Sequence, residues 1–192
     1  MADKLKKYSK AHTRYYTANG TLVPGVTTVT GLLNKPALVI WANRLGLEGI
    51  NTNDYVDKAA KIGTLIHYLV ECHITKKTPE LYGNELQLVS EKYKYGGSMD
   101  FYAKVDGELE ILDFKSGKGI YDEHFLQVGG GYGQLAIENG KPFKRIRILN
   151  IGRNENEPFD EKVISLVQAR KYFKIFKNLI DIYYLKKELG WR

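Results

Sequence analysis

The chain has 192 residues, with 29 Lys and Arg against 22 Asp and Glu, a formal net charge of +7. At 43% hydrophobic and 27% charged residues it has the make-up of a folded globular chain rather than a disordered one, and no apolar run approaches the roughly 20 residues that span a bilayer. One cysteine, Cys72, excludes an intramolecular disulfide, a zinc ribbon and any cluster that needs several thiolates. A single domain covering residues 1–192 is expected, with the Lys-rich first ten residues frayed and no apolar core of a secretory signal behind them. The basic excess favours a polyanionic partner such as nucleic acid.

Along the chain, TRYYTANGTLVPGVTTVTGLL predicts an extended start, a turn at Asn19-Gly20 and a β-prone stretch after Pro24. Pro36 opens a helical stretch that Gly49 can end. A second helix is expected from about Asp54 to Ile74. Leu86 to Lys115 is rich in Tyr, Val, Ile and Phe and punctuated by Gly96-Gly97 and Asp106-Gly107, the pattern of a β-meander. A helix from about Asp122 to Glu138 ends at Asn139-Gly140. FKRIRILNIG then alternates apolar and basic residues as a half-buried strand does. Lys162 to Ser165 is one more strand, and Leu166 to Leu189 a closing amphipathic helix. Its lysines fit a solvated face better than a DNA clamp. The order gives an α/β or α+β domain around a mixed sheet.

The hairpin carries the chemistry. Centring a two-residue loop on Asp106-Gly107 pairs Val105 with Glu108, Phe101 with Leu112 and Asp100 with Asp113. Alternation then sends Asp100, Asp113 and Lys115 to one face, and Phe101, Ala103, Leu112 and Phe114 to the other. Two carboxylates set directly opposite repel, so a shared proton, a cationic side chain or a metal ion must offset them, and carboxylate oxygens suit Mg²⁺ or Mn²⁺. A charged strand face with a simple Asp113–Lys115 ion pair explains the same residues equally well.

The preceding helix has an apolar stripe of Ile62, Leu65, Ile66, Leu69 and Val70. Gly63, His67 and Glu71 follow one another four apart on a different strip. On its own this is most simply a polar helix edge, although Gly63 costs about 1 kcal/mol against alanine and so points to close packing.

Taken in order, Gly63-x-x-x-His67-x-x-x-Glu71, Gly97-x-x-Asp100, Asp113-Phe114-Lys115 and Gln127 resemble the PD-(D/E)xK nuclease superfamily, in particular its RecB-like, phage-type exonuclease branch. Pro24-Gly25-Val26-Thr27-Thr28-Val29, Lys35-Pro36-Ala37-Leu38 and Trp41 also look like the N-terminal region of phage-type members. The resemblance spans about residues 22–138. It implies a restriction-endonuclease-like core, a central mixed β-sheet flanked by helices. It also implies an exonuclease of recombination, repair or DNA processing in a bacterial host or phage-infected cell, and the lone cysteine predicts the reducing cytoplasm of such a cell.

By the same resemblance, His67, Asp100, Asp113 and the carbonyl of Phe114 hold one or two Mg²⁺ or Mn²⁺ ions, with no iron–sulfur cluster. Lys115 assists the attacking water, Gln127 contacts the substrate or the lysine, and Glu71 supports His67. The motif's tyrosine falls one position late, at Tyr132, and in an α-helix that turns it by about 100°. Gln134 shares the face of Gln127 and can substitute. The glycines Gly129, Gly130 and Gly131 point to a kink or to a close backbone approach to a ligand. Lys35, Trp41, Arg44, Lys118, Tyr132 and Gln134 are candidate DNA contacts, Lys118 for a phosphate; for Lys35, Trp41 and Arg44 the plainer reading is a solvated helix with Trp41 in the core. A homo-oligomer or a recombination partner protein is compatible with all of this. Two other readings share the residues: a nuclease-fold DNA-binding module without activity, and a structure- or sequence-specific endonuclease.

Overall fold

The computed structural model describes residues 13–33, 35–77 and 81–191, except the side chains of 68, 69 and 71–77. A short antiparallel pair, β1 (Tyr15–Tyr16) and β2 (Leu22–Val23), leads into helices α1 (Val26–Thr30), α2 (Pro36–Leu47) and α3 (Thr52–Lys77). Strands β3 (Leu81–Ser90), β4 (Tyr95–Val105) and β5 (Glu108–Ser116) form the meander. A composite helix follows: α4 (Asp122–Phe125), a π-helical segment (Leu126–Tyr132) and α5 (Gly133–Glu138). The chain closes with β6 (Arg145–Ile151), β7 (Asp160–Ser165) and α6 (Leu166–Glu188). The five-stranded sheet has the order β3-β4-β5-β6-β7, with β5 and β6 parallel and the other neighbours antiparallel. A parallel neighbour needs a crossover, and the composite helix supplies it. This is the expected α/β architecture: a mixed sheet flanked by helices.

The strand pleat divides the core in two. Phe101, Ala103, Leu112 and Phe114 form one cluster, onto which Val70 of α3 packs. Tyr102 and Ile111, one step out of phase, join the larger cluster with Met99, Val128, Ile146 and Phe176. The basic alternation of β6 has a structural use. Ile146 and Ile148 are fully buried, while Arg145 and Arg147 converge on Glu110, which is 0% exposed.

Three expectations need correction. The stretch after Pro24 is helical, because Val26 and Val29, three residues apart, are both buried, and that outweighs the β preference of VTTVT. Gly96 and Gly97 lie inside β4 and do not break it. A Cβ on Gly96 would meet the Tyr15 side chain at 2.4 Å, and one on Gly97 the Tyr132 ring at 2.7 Å, so the glycines admit those rings. The apolar stripe of α3 is only partly covered: Ile62 and Leu65 remain 41% and 42% exposed.

Candidate active site

The ladder between β4 and β5 runs from Val105↔Glu108 to Phe101↔Leu112, closed by Asp106 (φ 51°) and Gly107 (φ 82°) as a type I′ turn demands. One step beyond the last pair stand Asp100 and Asp113, both 2% exposed. The N–H of Phe114 donates to Asp100 Oδ2 at 3.0 Å, which fixes that carboxylate against the neighbouring strand. Lys115 Nζ lies 2.6 Å from Asp113 Oδ2. From α3, His67 brings Nδ1 to 3.6 Å from Asp100 Oδ2, its ring edge-on to Phe114 with centroids 6.3 Å apart. Gly63, one turn earlier, leaves room for Ser116: a Cβ there would come within 2.9 Å of Oγ.

Glu85 of β3, which the sequence did not single out, completes the group. Its flanking residues pair as Asn84↔Phe101 and Leu86↔Met99, so it sits across from Asp100. Its φ of +47° is a left-handed conformation rare for glutamate. One ligating atom each from His67, Glu85 and Asp100 lies within 4.8 Å of the others. One imidazole nitrogen and two carboxylates, one of them anchored by a backbone N–H, fit a hard divalent cation such as Mg²⁺ or Mn²⁺.

These groups line a cleft of about 440 Å³ together with Asp113, Phe114, Lys115, Gln127 and Tyr132. The late tyrosine is accommodated by the backbone. Because Leu126–Tyr132 is π-helical, residue 132 comes round to residue 127, and Gln127 Nε2 donates to the Tyr132 hydroxyl at 2.9 Å. The three glycines serve this segment's packing, not a ligand. Cβ atoms at Gly130 and Gly131 would meet the Tyr172 carbonyl at 2.9 Å and Val26 Cγ1 at 2.4 Å.

The remaining sequence candidates lie elsewhere. Gln134 donates to Glu138 Oε1 at 2.7 Å and lies beside Phe143 and Phe173, not in the cleft, so it does not stand in for the tyrosine. Lys35 pairs with Glu123 at 2.9 Å, and Arg44 approaches Glu48 at 4.0 Å along α2. Trp41 and Lys118 line a neighbouring groove. The Glu71 side chain lies outside the described residues. At the groove, His124 accepts the Tyr121 N–H through Nδ1 at 3.2 Å. Burial, then the charge of Lys115, lowers its pKa to about 4, Glu123 opposing and Lys35 reinforcing.

No family model matches the sequence, and no curated protein matches it. Among solved structures, SSO0001 is 16% identical and aligns over 94% of this chain and 85% of its own with a TM-score of 0.58, a likeness of fold. The alkaline exonuclease LHK-Exo from Laribacter hongkongensis, solved also in complex with dAMP, aligns at 13% identity over 88% of this chain and 93% of its own, with a TM-score of 0.46.

Proposed function

We propose that this protein is a metal-dependent phosphodiesterase that cuts DNA, acting as an exonuclease in recombination, repair or DNA processing. The observation that carries the reading is the meeting of His67, Glu85 and Asp100 within 4.8 Å, in the same cleft as the Asp113–Lys115 pair. The exonuclease part rests on the motif resemblance.

In this reading His67, Asp100, Asp113 and the Phe114 carbonyl, with Glu85 added, hold Mg²⁺ or Mn²⁺. A divalent ion bound there neutralises phosphoryl oxygens and acidifies water. Asp113 holds the Lys115 ammonium at the cleft, where its charge opposes the negative charge that develops on phosphorus-bound oxygens. Gln127, tied to Tyr132, presents an amide whose orientation is fixed before substrate arrives. Phe114 supports the His67 ring edge-on and so limits its rotation.

The test is cleavage of end-labelled linear and closed-circular DNA with Mg²⁺ or Mn²⁺, with and without chelator. Chelator-sensitive loss of linear DNA with circles spared is expected. Asp113→Asn and Lys115→Ala should each lower the rate by at least about 100-fold while circular dichroism stays unchanged. Full activity in Asp113→Asn refutes the assignment, and DNA binding without cleavage leaves a binding module.

A further inference from the structure

A second concavity, of about 570 Å³, opens beside the cleft and shares Ala59, Ala60, Lys115 and Ser116 with it. Its walls are aromatic. Trp41 of α2 meets Tyr55 of α3 edge-on at 5.4 Å, and Tyr121, which precedes α4, stands 55% exposed. Among the described residues, none of the three belongs to either buried cluster. Lys118 and Arg153 also line the groove, Arg153 held in place by Glu157 through Nε at 3.0 Å and Nη2 at 2.9 Å.

We propose that this groove seats unpaired nucleotides of single-stranded DNA and leads the strand to the cleft, an inference that deepens the nuclease reading and rests on it. A half-buried Trp41 and the exposed Tyr55 and Tyr121, with Lys118 and Arg153 on the same walls, match what one strand presents, flat base faces at intervals along an anionic backbone. A base inside a duplex already has both faces stacked and cannot reach the rings, so the groove selects for strands that are single or frayed. Its volume falls in the roughly 300–1,000 Å³ range of small-ligand sites, room for a nucleotide but not for a double helix. Continuity through Lys115 and Ser116 makes the groove an approach to the cleft rather than a separate site.

The chain has two tryptophans, and Trp191 lies past the end of α6, 67% exposed. In Trp191→Phe protein, Trp41 is therefore the sole tryptophan reporter. With EDTA present to prevent cleavage, an oligo-dT strand should quench its fluorescence at a concentration at least tenfold below that needed by a blunt duplex of the same length. Stacking contributes about 1–3 kcal/mol per base, so Tyr121→Ala in that background should weaken strand binding about 5- to 150-fold, while Tyr121→Phe preserves it. Tyr121 is exposed enough that its truncation should leave the circular dichroism spectrum intact. Equal quenching by duplex and single strand, or unchanged binding by Tyr121→Ala, overturns the groove. Cleavage with Mn²⁺, measured in parallel, keeps the two readings apart: cleavage without strand-selective quenching sinks the groove alone, and quenching without cleavage sinks the nuclease alone.

Discussion

The Gln127 amide reaches the Tyr132 hydroxyl at 2.9 Å across five residues, a spacing that an α-helix would rotate apart and a π-helix aligns. One extra residue per turn is absorbed where the backbone presses directly on α1 and α6, through Gly130 and Gly131. Tyr132 in turn packs over Gly97, three residues before Asp100 on β4. The glycines, the π-helix and the acidic strand therefore act as one packing unit beneath the cleft.

That unit makes Gly131→Ala informative. The added methyl meets Val26 at 2.4 Å, and Val26 is 1% exposed with little space to withdraw. Overpacking of this kind costs about 1–3 kcal/mol, to be read from the urea midpoint at unchanged slope. Val26→Ala in the same chain should recover part of the loss, whereas a ligand-facing glycine would show no such rescue.

Glu85 combines strain with chemistry. A left-handed backbone at a non-glycine residue costs about 1–2 kcal/mol, and here it occurs at the one member of the ligand group contributed by β3. Glu85→Gly should thus raise stability by about 1 kcal/mol while weakening Mn²⁺ binding, followed by calorimetry, by about tenfold or more. Glu85→Gln should lose the binding without gaining the stability. If Glu85→Gln takes up Mn²⁺ as the wild type does, the residue is no ligand.

How much of this could be read beforehand differs by element. The Asp106-Gly107 turn is local chemistry, and from it the β4–β5 register followed residue by residue, with Asp100, Asp113 and Lys115 converging as expected. Glu85 was out of reach because its position depends on pairing between β3 and β4, whose connection, Glu91–Lys94, carries no short turn signature; its φ also breaks strand alternation. The tyrosine offset was visible, but its resolution was not, since π-helical geometry arises from tertiary packing against Val26 and Tyr172. For VTTVT local propensity likewise favours a strand, because it carries no record of what covers Val26 and Val29.

At the opposite end of β5 from the carboxylates, Glu110 accepts from Arg147 at 2.8 and 3.1 Å and forms an ion pair with Arg145 at 2.7 Å, with no exposure to solvent. The Glu110 bonds, joined by one to Glu161 and opposed by burial, raise the Arg147 pKa above its ordinary value. Removing the carboxylate takes the partner from Arg145 and leaves Arg147 with Glu161 alone, so Glu110→Ala should destabilise by about 1–3 kcal/mol in denaturant unfolding. The triple change Glu110→Leu, Arg145→Leu, Arg147→Leu should recover much of that, because replacing a buried ion cluster by apolar packing is often neutral. Recovery would make the cluster a device for strand pairing rather than a net source of stability.

His124 gives the stability curve a slope at mild acidity. Its folded pKa of about 4 lies below the ordinary 6.5, owing first to burial and then to the Lys115 charge. Between those values the unfolded chain binds a proton at this position and the folded chain does not. Its contribution is therefore complete above pH 6.5, declines as pH falls toward 4, and changes no further below. Ordinary carboxylates begin to titrate only below about pH 5, so the window from 6.5 to 5 belongs to histidine. Melting temperatures taken at several pH values in that window should fall with acidity in the wild type and more shallowly in His124→Gln. Lys115→Ala removes one of the charges that disfavour protonation and should also reduce the slope. Identical slopes in wild type and His124→Gln would mean that the imidazole is solvated and titrates as it does in the unfolded chain.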